Sequence, residues 1–299
     1  MRLRRSELST PASNEHMMEK AAASTADFVL LDLEDSVAPE EKVAARSKAI
    51  KALTTLEWGK KTRAVRINDL ETEYAYQDII TVVEEAGEDL DVLIIPKVKA
   101  GKDVWWVDLL LTQIEKRLKR VRRIGLEVLI EEVEAMLHVE EIARSSSRLE
   151  ALIFGPADYS ASQGMDSKVI EGSLDTYPGD PWHYARNKIA IAARAAGIDA
   201  IDGAYPNFTN SEGYRRECIH SRVLGFVGKW AIHPSQINIA NQVYSPAKEE
   251  VERARKLDAA YQEAQARGVG AVAVDGKMID VAIIRSIKTT LQKADLLGM

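Results

Sequence analysis

LIFGPADYSASQG, running from Leu152 to Gly164, is the stretch from which the fold is read. Leu152 to Phe154 belongs to an apolar run too short for a helix, and Gly155-Pro156 ends it and delivers Asp158, Tyr159 and Ser160. A short apolar run closed by chain-breaking residues reads as a strand buried on both faces. A carboxylate at its exit, beside a glycine that lets a ligand approach the backbone, sits where an α/β protein binds its ligand.

The same signature recurs outward in both directions. Apolar runs with polar ends occupy Leu3 to Ser9, Phe28 to Leu33, Arg63 to Ile67, Asp91 to Ile95, Ile124 to Ile130, Leu149 to Phe154, Ile198 to Ile201 and Phe226 to Ile232. Helical spacing fills the intervals: Ser13 to Ala23, Glu40 to Leu53, Thr72 to Glu85, Lys102 to Arg120, Val133 to Arg144, Pro181 to Ala196, Glu212 to Leu224 and, after the last run, Gln236 to Tyr244. Alternation of this kind is the βαβ pattern, and continuous apolar runs suit parallel strands covered on both sides. The count predicts an α/β fold of the (β/α)8 TIM-barrel type over residues 1–245, with an open doubly wound sheet as the alternative. Asp166 to Pro181, polar and broken by Pro and Gly, reads as a long structured loop over the strand ends. Residues 246–299 read as a C-terminal helical cap: a charged helix over Pro246 to Arg267, a break at Gly268-Val269-Gly270, and helical spacing again over Gly276 to Ala294.

Composition excludes several classes. The chain has 299 residues, 46% hydrophobic and 29% charged, which is ordinary for a globular protein with a sizeable core. A net charge of -6 gives no nucleic-acid surface. Cys218 is the one cysteine, so there is no internal disulfide or CxxC site, as suits a reducing compartment. No run approaches the roughly 20 apolar residues of a membrane span and the N-terminus lacks a signal-peptide core, so a cytoplasmic protein is expected.

The strand exits carry groups that an apolar interior would not accept. Phe28 to Leu31 exits into Asp32, Glu34 and Asp35; Val65 into Arg66 and Asn68; Ile94-Ile95 into Lys97; Ile130 into Glu131; and Phe154 into Asp158. In a barrel these face one mouth. Glu131 and Asp158 are the candidate metal ligands: hard carboxylate oxygens, with no His or Cys nearby in sequence, suit Mg2+ or Mn2+ rather than zinc, and leave positions for water and a chelating substrate. Glu127 and Glu132 compete for the role of Glu131, because alternation does not fix which glutamate points inward. Arg66 is placed either to hold a carboxylate or developing oxyanion, or to form a salt bridge with Glu34 or Asp35. Lys97 reads as an ion-pair or phosphate contact, or as a Schiff-base nucleophile in a metal-free aldolase. No Gly-rich loop indicates a nucleotide. Gly228 to Pro234, with the basic Arg2, Arg4 and Arg5, supplies cations and Trp230 near the barrel seam, and His233 is either a general base or, followed by Pro234, a turn residue.

Seven segments together carry a resemblance: RSELSTPASN (Arg5 to Asn14), DFVLLDLEDSVAP (Asp27 to Pro39), VRIND (Val65 to Asp69), IPKV (Ile95 to Val98), EVLIEEVEAM (Glu127 to Met136), LIFGPADYSAS (Leu152 to Ser162) and GKWAIHPSQI (Gly228 to Ile237). They resemble the citrate lyase β-subunit-like superfamily of TIM-barrel carbon–carbon lyases, and the likeness extends to AVDGKMID (Ala273 to Asp280). The resemblance implies a Mg2+-dependent, reversible Claisen-type cleavage of malyl-CoA to acetyl-CoA and glyoxylate, or of β-methylmalyl-CoA to propionyl-CoA and glyoxylate. It implies Glu131 and Asp158 as metal ligands and Arg66 as the contact to substrate carboxylate or thioester oxygen, with Glu34 and Asp35 orienting Arg66 and metal-bound water. Gly155, Pro156 and Ala157 would form a backbone cradle for glyoxylate; Arg5, Lys97, Ile232, His233 and Pro234 would line the CoA site. Asp275 would reach a neighbouring subunit's site as proton donor and acceptor, which implies a homo-oligomer, trimer-based. Two rival activities fit the same frame: a malyl-CoA thioesterase, and a citrate lyase β-like subunit acting on a carrier-bound acyl group.

Overall fold

The computed structural model describes residues 2–171 and 179–299. Eight parallel strands, β1 (Ser6–Pro11), β2 (Phe28–Asp32), β3 (Thr62–Arg66), β4 (Val92–Ile95), β5 (Gly125–Ile130), β6 (Leu149–Phe154), β7 (Asp199–Asp202) and β8 (Gly228–Ala231), close into a barrel in sequence order. Closure is made by β1 on β8, with Glu7 opposite Trp230 and Leu8 opposite Ala231. Every residue of β2, β4, β5 and β8 is buried. Inward side chains such as Phe28, Leu30, Ile94, Leu129, Ile153 and Trp230 fill the barrel, and outward ones meet the helices, which explains the unbroken apolar runs.

The strand-start end is closed by charge. Arg4 Nε donates to Glu127 Oε1 at 2.8 Å and Nη1 to Asp199 at 3.2 Å, and Nη2 reaches Glu150. An arginine this deeply buried is tolerated because carboxylates surround its donors. The register puts the other polar residues at the opposite end, where Asp32 pairs with Arg66 and Ile130 with Phe154, one residue before Glu131 and Gly155.

Three expectations are revised. The single helix over Val133 to Arg144 is two short ones, Val133–Leu137 and Val139–Ile142. Within Asp166 to Pro181, read as loop, Ser167–Glu171 is helical, and residues 172–178 lie outside the described residues. In the tail, helices Lys248–Ala266 and Val281–Leu296 are separated by a hairpin, β9 (Val272–Val274) and β10 (Lys277–Ile279), where helical spacing was predicted to resume at Gly276. The physical reason is local: AVAVDGKMI alternates with a period of two around Asp-Gly, and Asp275 and Gly276 both turn through positive φ, 49° and 74°, as a tight hairpin demands. Arg4–Asn241 forms one compact unit, and Gln242–Met299 with Arg2 and Leu3 a second, cored by Ala254, Leu257, Tyr261, Ile279, Ile284 and Ile287. No helix among the described residues is long and apolar enough to cross a membrane.

Candidate active site

β5 and β6 lie side by side, and each hands one carboxylate to the mouth. Glu131 follows β5 directly. After β6, Gly155 caps a helix, Pro156–Gln163, that starts with proline at its first position and carries Asp158 in its first turn. Pro is at home there because that N–H would have no intrahelical partner. Glu131 is buried and Asp158 partly so. Burial first, and then the charge of Asp158, push the Glu131 carboxyl up to about 8, against the pull of Arg66 and of the Lys97 N–H. A buried carboxyl with a second carboxylate beside it is an arrangement that a cation relieves.

Gly155 makes the approach of these groups feasible. A Cβ there would lie 2.5 Å from both Cβ and Oε2 of Glu131. Gly155→Ala is therefore expected to displace the Glu131 carboxylate, with a stability loss of about 1–3 kcal/mol from overpacking. Thermal unfolding and Mg2+ titration check this: a variant with unchanged Mg2+ affinity contradicts it.

The other side of the mouth is an ion-pair lattice. Arg66 donates from Nε and Nη2 to the two oxygens of Asp32, each at 2.7 Å, and its Nη1 lies 2.8 Å from Glu34 Oε2 and 3.9 Å from Asp35. Asp32 is tied in turn by the Glu34 N–H, at 2.9 Å, and by Ser36. Although burial opposes its charge, Arg66 holds Asp32 below the usual carboxylate range. Lys97 reaches Glu34 and, at 3.1 Å, Asp35, while its backbone N–H donates to Glu131 Oε1 at 2.9 Å. Lys97 adopts a left-handed φ of 49°, strain of the kind that surrounding contacts must enforce. Burial works against its charge, but the Glu34 and Asp35 carboxylates raise its pKa, so it stays a cation and is poorly suited to Schiff-base formation.

The structure thus brings Glu34, Asp35, Arg66, Lys97, Glu131, Gly155, Pro156, Ala157 and Asp158 to the strand-exit end. It separates the competing glutamates: Glu127 lies in the barrel on Arg4, and Glu132 accepts a hydrogen bond from Ser162 at 2.7 Å. Arg5 goes elsewhere. It precedes β1 at the strand-start end and pairs with Asp27 at 2.7 Å, about 16 Å of strand away from the mouth, so the structure does not bring it to the other candidates. Ile232, His233 and Pro234 follow β8. The N–H groups of Ile232 and His233 donate to Gln236, and His233 Nδ1 accepts from the Ser235 N–H at 3.2 Å while its ring stacks on Phe208, which is the turn arrangement rather than a poised base. Asp275, in the second unit, is exposed in its hairpin turn, 2.9 Å from Lys256 Nζ. Of the cradle, Gly155 spends its N–H on Ile130 O and Pro156 has none, which leaves the first-turn N–H groups of Ala157 and Asp158.

Sequence reading missed Asp32 as the partner of Arg66, and it missed Lys42. The Lys42 ammonium donates to the carbonyls of Leu33 and Glu34, at 3.1 and 2.9 Å, and to Asn68, pinning the turn that carries Glu34. The FVLLD pattern contained the signal for Asp32; nothing local marked Lys42. Among the described residues no group of three or more His, Cys, Asp or Glu side chains is arranged around a metal position. Glu131 and Asp158 are the candidate donor pair, which would suit a hard ion with its remaining positions open to water and substrate oxygens.

Barrels of many activities carry carboxylates at their strand exits, and here the class comes from residues 181–299, which match the family described as C-C bond lyase of the TIM-barrel fold, the TIM-barrel carbon–carbon lyases. Residues 5–234 match HpcH/HpaI aldolase/citrate lyase, and the chain belongs to that family. It is 43% identical to an L-malyl-CoA/β-methylmalyl-CoA lyase of Cereibacter sphaeroides, over 98% of this chain and 95% of that protein. A (3S)-malyl-CoA thioesterase from the same species is 36% identical over the same shares. Among solved structures, CitE of Mycobacterium tuberculosis in complex with magnesium, acetoacetate and coenzyme A superposes with a TM-score of 0.75 at 28% identity, covering 97% of each chain.

Proposed function

We propose that this lyase reversibly cleaves malyl-CoA to acetyl-CoA and glyoxylate, and β-methylmalyl-CoA to propionyl-CoA and glyoxylate, with Mg2+ bound by Glu131 and Asp158. The observation that carries the proposal is the buried Glu131 beside Asp158 at neighbouring strand exits, a pair that calls for a cation. The 43% identity to a lyase of this specificity, above the 36% to a thioesterase, favours carbon–carbon cleavage over thioester hydrolysis. When bound, Mg2+ supplies a Lewis acid for the oxygens of the glyoxylate half, and Mn2+ satisfies the same donor set. Exclusion of water by bound substrate would keep this charge stabilisation strong.

The residues divide the rest of the work. Arg66, locked by Asp32, presents a fixed positive charge to the thioester oxygen, where negative charge develops as the carbon–carbon bond breaks. Glu34 and Asp35 orient Arg66 and, with Lys97, set the local charge. The Ala157 and Asp158 N–H groups receive the glyoxylate carboxylate at a helix N-terminus. Ile232, His233 and Pro234 border the CoA chain, and Arg5 has no part in the mouth. As the carbon–carbon bond breaks, the substrate hydroxyl gives its proton to water and becomes the glyoxylate carbonyl, while protonated Asp275 of a neighbouring copy, freed from Lys256, gives its proton to the α-carbon of the departing acyl-CoA, with the reverse in condensation; a homo-oligomer, trimer-based, is then the working enzyme, in the cytoplasm. The domain assignment follows: residues 1–245 are catalytic and residues 246–299 serve the neighbour. The pocket accepts both substrates because one methyl group is discriminated by only about 1–3 kcal/mol.

Asp275→Asn is expected to bind CoA esters normally while cleavage and α-proton exchange both fall about 10²–10⁴-fold. Exchange of the acetyl-CoA α-protons in deuterated water is the readout, and retained exchange removes Asp275 from the chemistry. The proposal as a whole is tested by glyoxylate-dependent condensation with acetyl-CoA and propionyl-CoA, with and without Mg2+. Activity only on a carrier-bound acyl group refutes it.

A further inference from the structure

Two cross-strand pairs meet inside the barrel below the mouth. Register sets Asp32 opposite Arg66 on β2 and β3, and Glu7 opposite Trp230 on β1 and β8. The Arg66 guanidinium carbon lies over the Trp230 ring, 5.4 Å from its centroid. The indole is held in two ways: its Nε1–H donates to Glu7 Oε2 at 2.9 Å, and its ring packs into the barrel core with Phe28, Leu30 and Ile94; the Trp230 backbone carbonyl separately accepts from the Tyr214 hydroxyl at 3.1 Å. Glu7 is fully buried; its Oε1 lies 4.0 Å from Arg4 Nε without a hydrogen bond, so among the described residues the carboxyl's hydrogen bond is the tether to Trp230.

Asp32 fixes one edge of the guanidinium, about which a bidentate pair can hinge, and Glu34 Oε2, 2.8 Å from Nη1 but out of hydrogen-bond alignment, does not set the tilt of its plane. A ring face against the guanidinium removes that freedom. We propose that Trp230, tethered by Glu7, is a positioning residue for the lyase reaction, setting the plane in which Arg66 meets the thioester oxygen. The inference rests on the reading of Arg66 given above and extends it to a pair at the barrel seam. Glu7 and Trp230 are 223 positions apart, so circular closure is what creates the device. A tilt error of this sort falls on the charge that develops during cleavage rather than on the bound ester, so it is read in kcat more than in KM.

The test is a set of steady-state kinetics on malyl-CoA with Mg2+, after cleavage by the parent enzyme has been established. Trp230→Leu removes face and tether, and its kcat is expected to fall on the order of tenfold or more with KM within about twofold. Trp230→Phe keeps a face and loses the tether, and is expected to fall between parent and Trp230→Leu; it also serves if the leucine variant does not fold. Glu7→Gln, which retains an acceptor for the indole N–H, is expected to recover most of what Glu7→Leu loses. In an Arg66→Lys background, Trp230→Leu is expected to cost less than about twofold more, because both changes act through one group. An active parent with Trp230→Phe and Trp230→Leu at parental kcat overturns the inference, as does an equal loss from Trp230→Leu in both backgrounds. An inactive parent instead refutes the lyase reading itself.

Discussion

Asp158→Ala and Glu131→Ala are each expected to lose at least about 10³-fold in malyl-CoA cleavage, with no recovery at high Mg2+. The expectation follows from the donor set. Two carboxylates, Glu131 and Asp158, are the proposed ligands, so deleting either halves the protein's hold and leaves water to fill the gap. Without the Lewis acid, charge on the glyoxylate oxygens loses several kcal/mol of stabilisation, and about 4 kcal/mol corresponds to three decades in rate. The two variants are expected to differ in stability. Asp158 is partly exposed and its removal leaves little behind. Loss of Glu131 relieves a carboxyl that burial and Asp158 disfavour as an anion, so its alanine variant should unfold no earlier than Asp158→Ala despite the cavity. Isothermal titration with Mg2+ and thermal unfolding separate these outcomes, and an Asp158→Ala enzyme that still responds to Mg2+ contradicts the ligand assignment.

Arg66→Gln is expected to reduce kcat about 10²–10³-fold while Mg2+ binding persists. Removing one preorganised donor from a developing oxyanion has an effect of this size in a water-excluded site. Two further consequences are specific to the lattice here. Asp32 loses its partner while buried, and a buried carboxylate without its cation is destabilising by about 3–5 kcal/mol. Arg66→Lys keeps the charge but not the bidentate grip, so it should recover stability more fully than rate. Parallel measurement of melting temperature and kcat for the two substitutions checks this; a lysine variant that recovers both alike denies Arg66 a directional role.

The barrel was legible because parallel strands covered on both faces must be written as unbroken apolar runs, and Asp158 and Glu131 interrupt two of them at the exit. The choice among Glu127, Glu131 and Glu132 was not legible. Adjacent residues alternate faces, but where the strand stops determines which face opens on the mouth, and the resemblance rather than the spacing selected Glu131. Arg66 was legible as a charged exit residue, but its main partner was sought at Glu34 and Asp35, whereas register fixes Asp32 directly opposite. Arg5 illustrates the converse: a basic residue within a matching motif can stand at the wrong end of its strand. Lys42 and the Glu7–Trp230 tether depend on pairings made only by the closed fold. The hairpin around Asp275 was missed because, past the break at Gly268-Val269-Gly270, helical spacing was taken to resume at Gly276, which lies in the hairpin turn before the helix that begins at Val281.

The most direct measurement follows the products of malyl-CoA by chromatography with Mg2+ and again after its removal by EDTA. Stoichiometric acetyl-CoA and glyoxylate, formed only with the metal and abolished in Asp158→Ala, is the expected result. Free CoA and malate with no glyoxylate, or cleavage indifferent to EDTA, would contradict a metal-assisted carbon–carbon lyase.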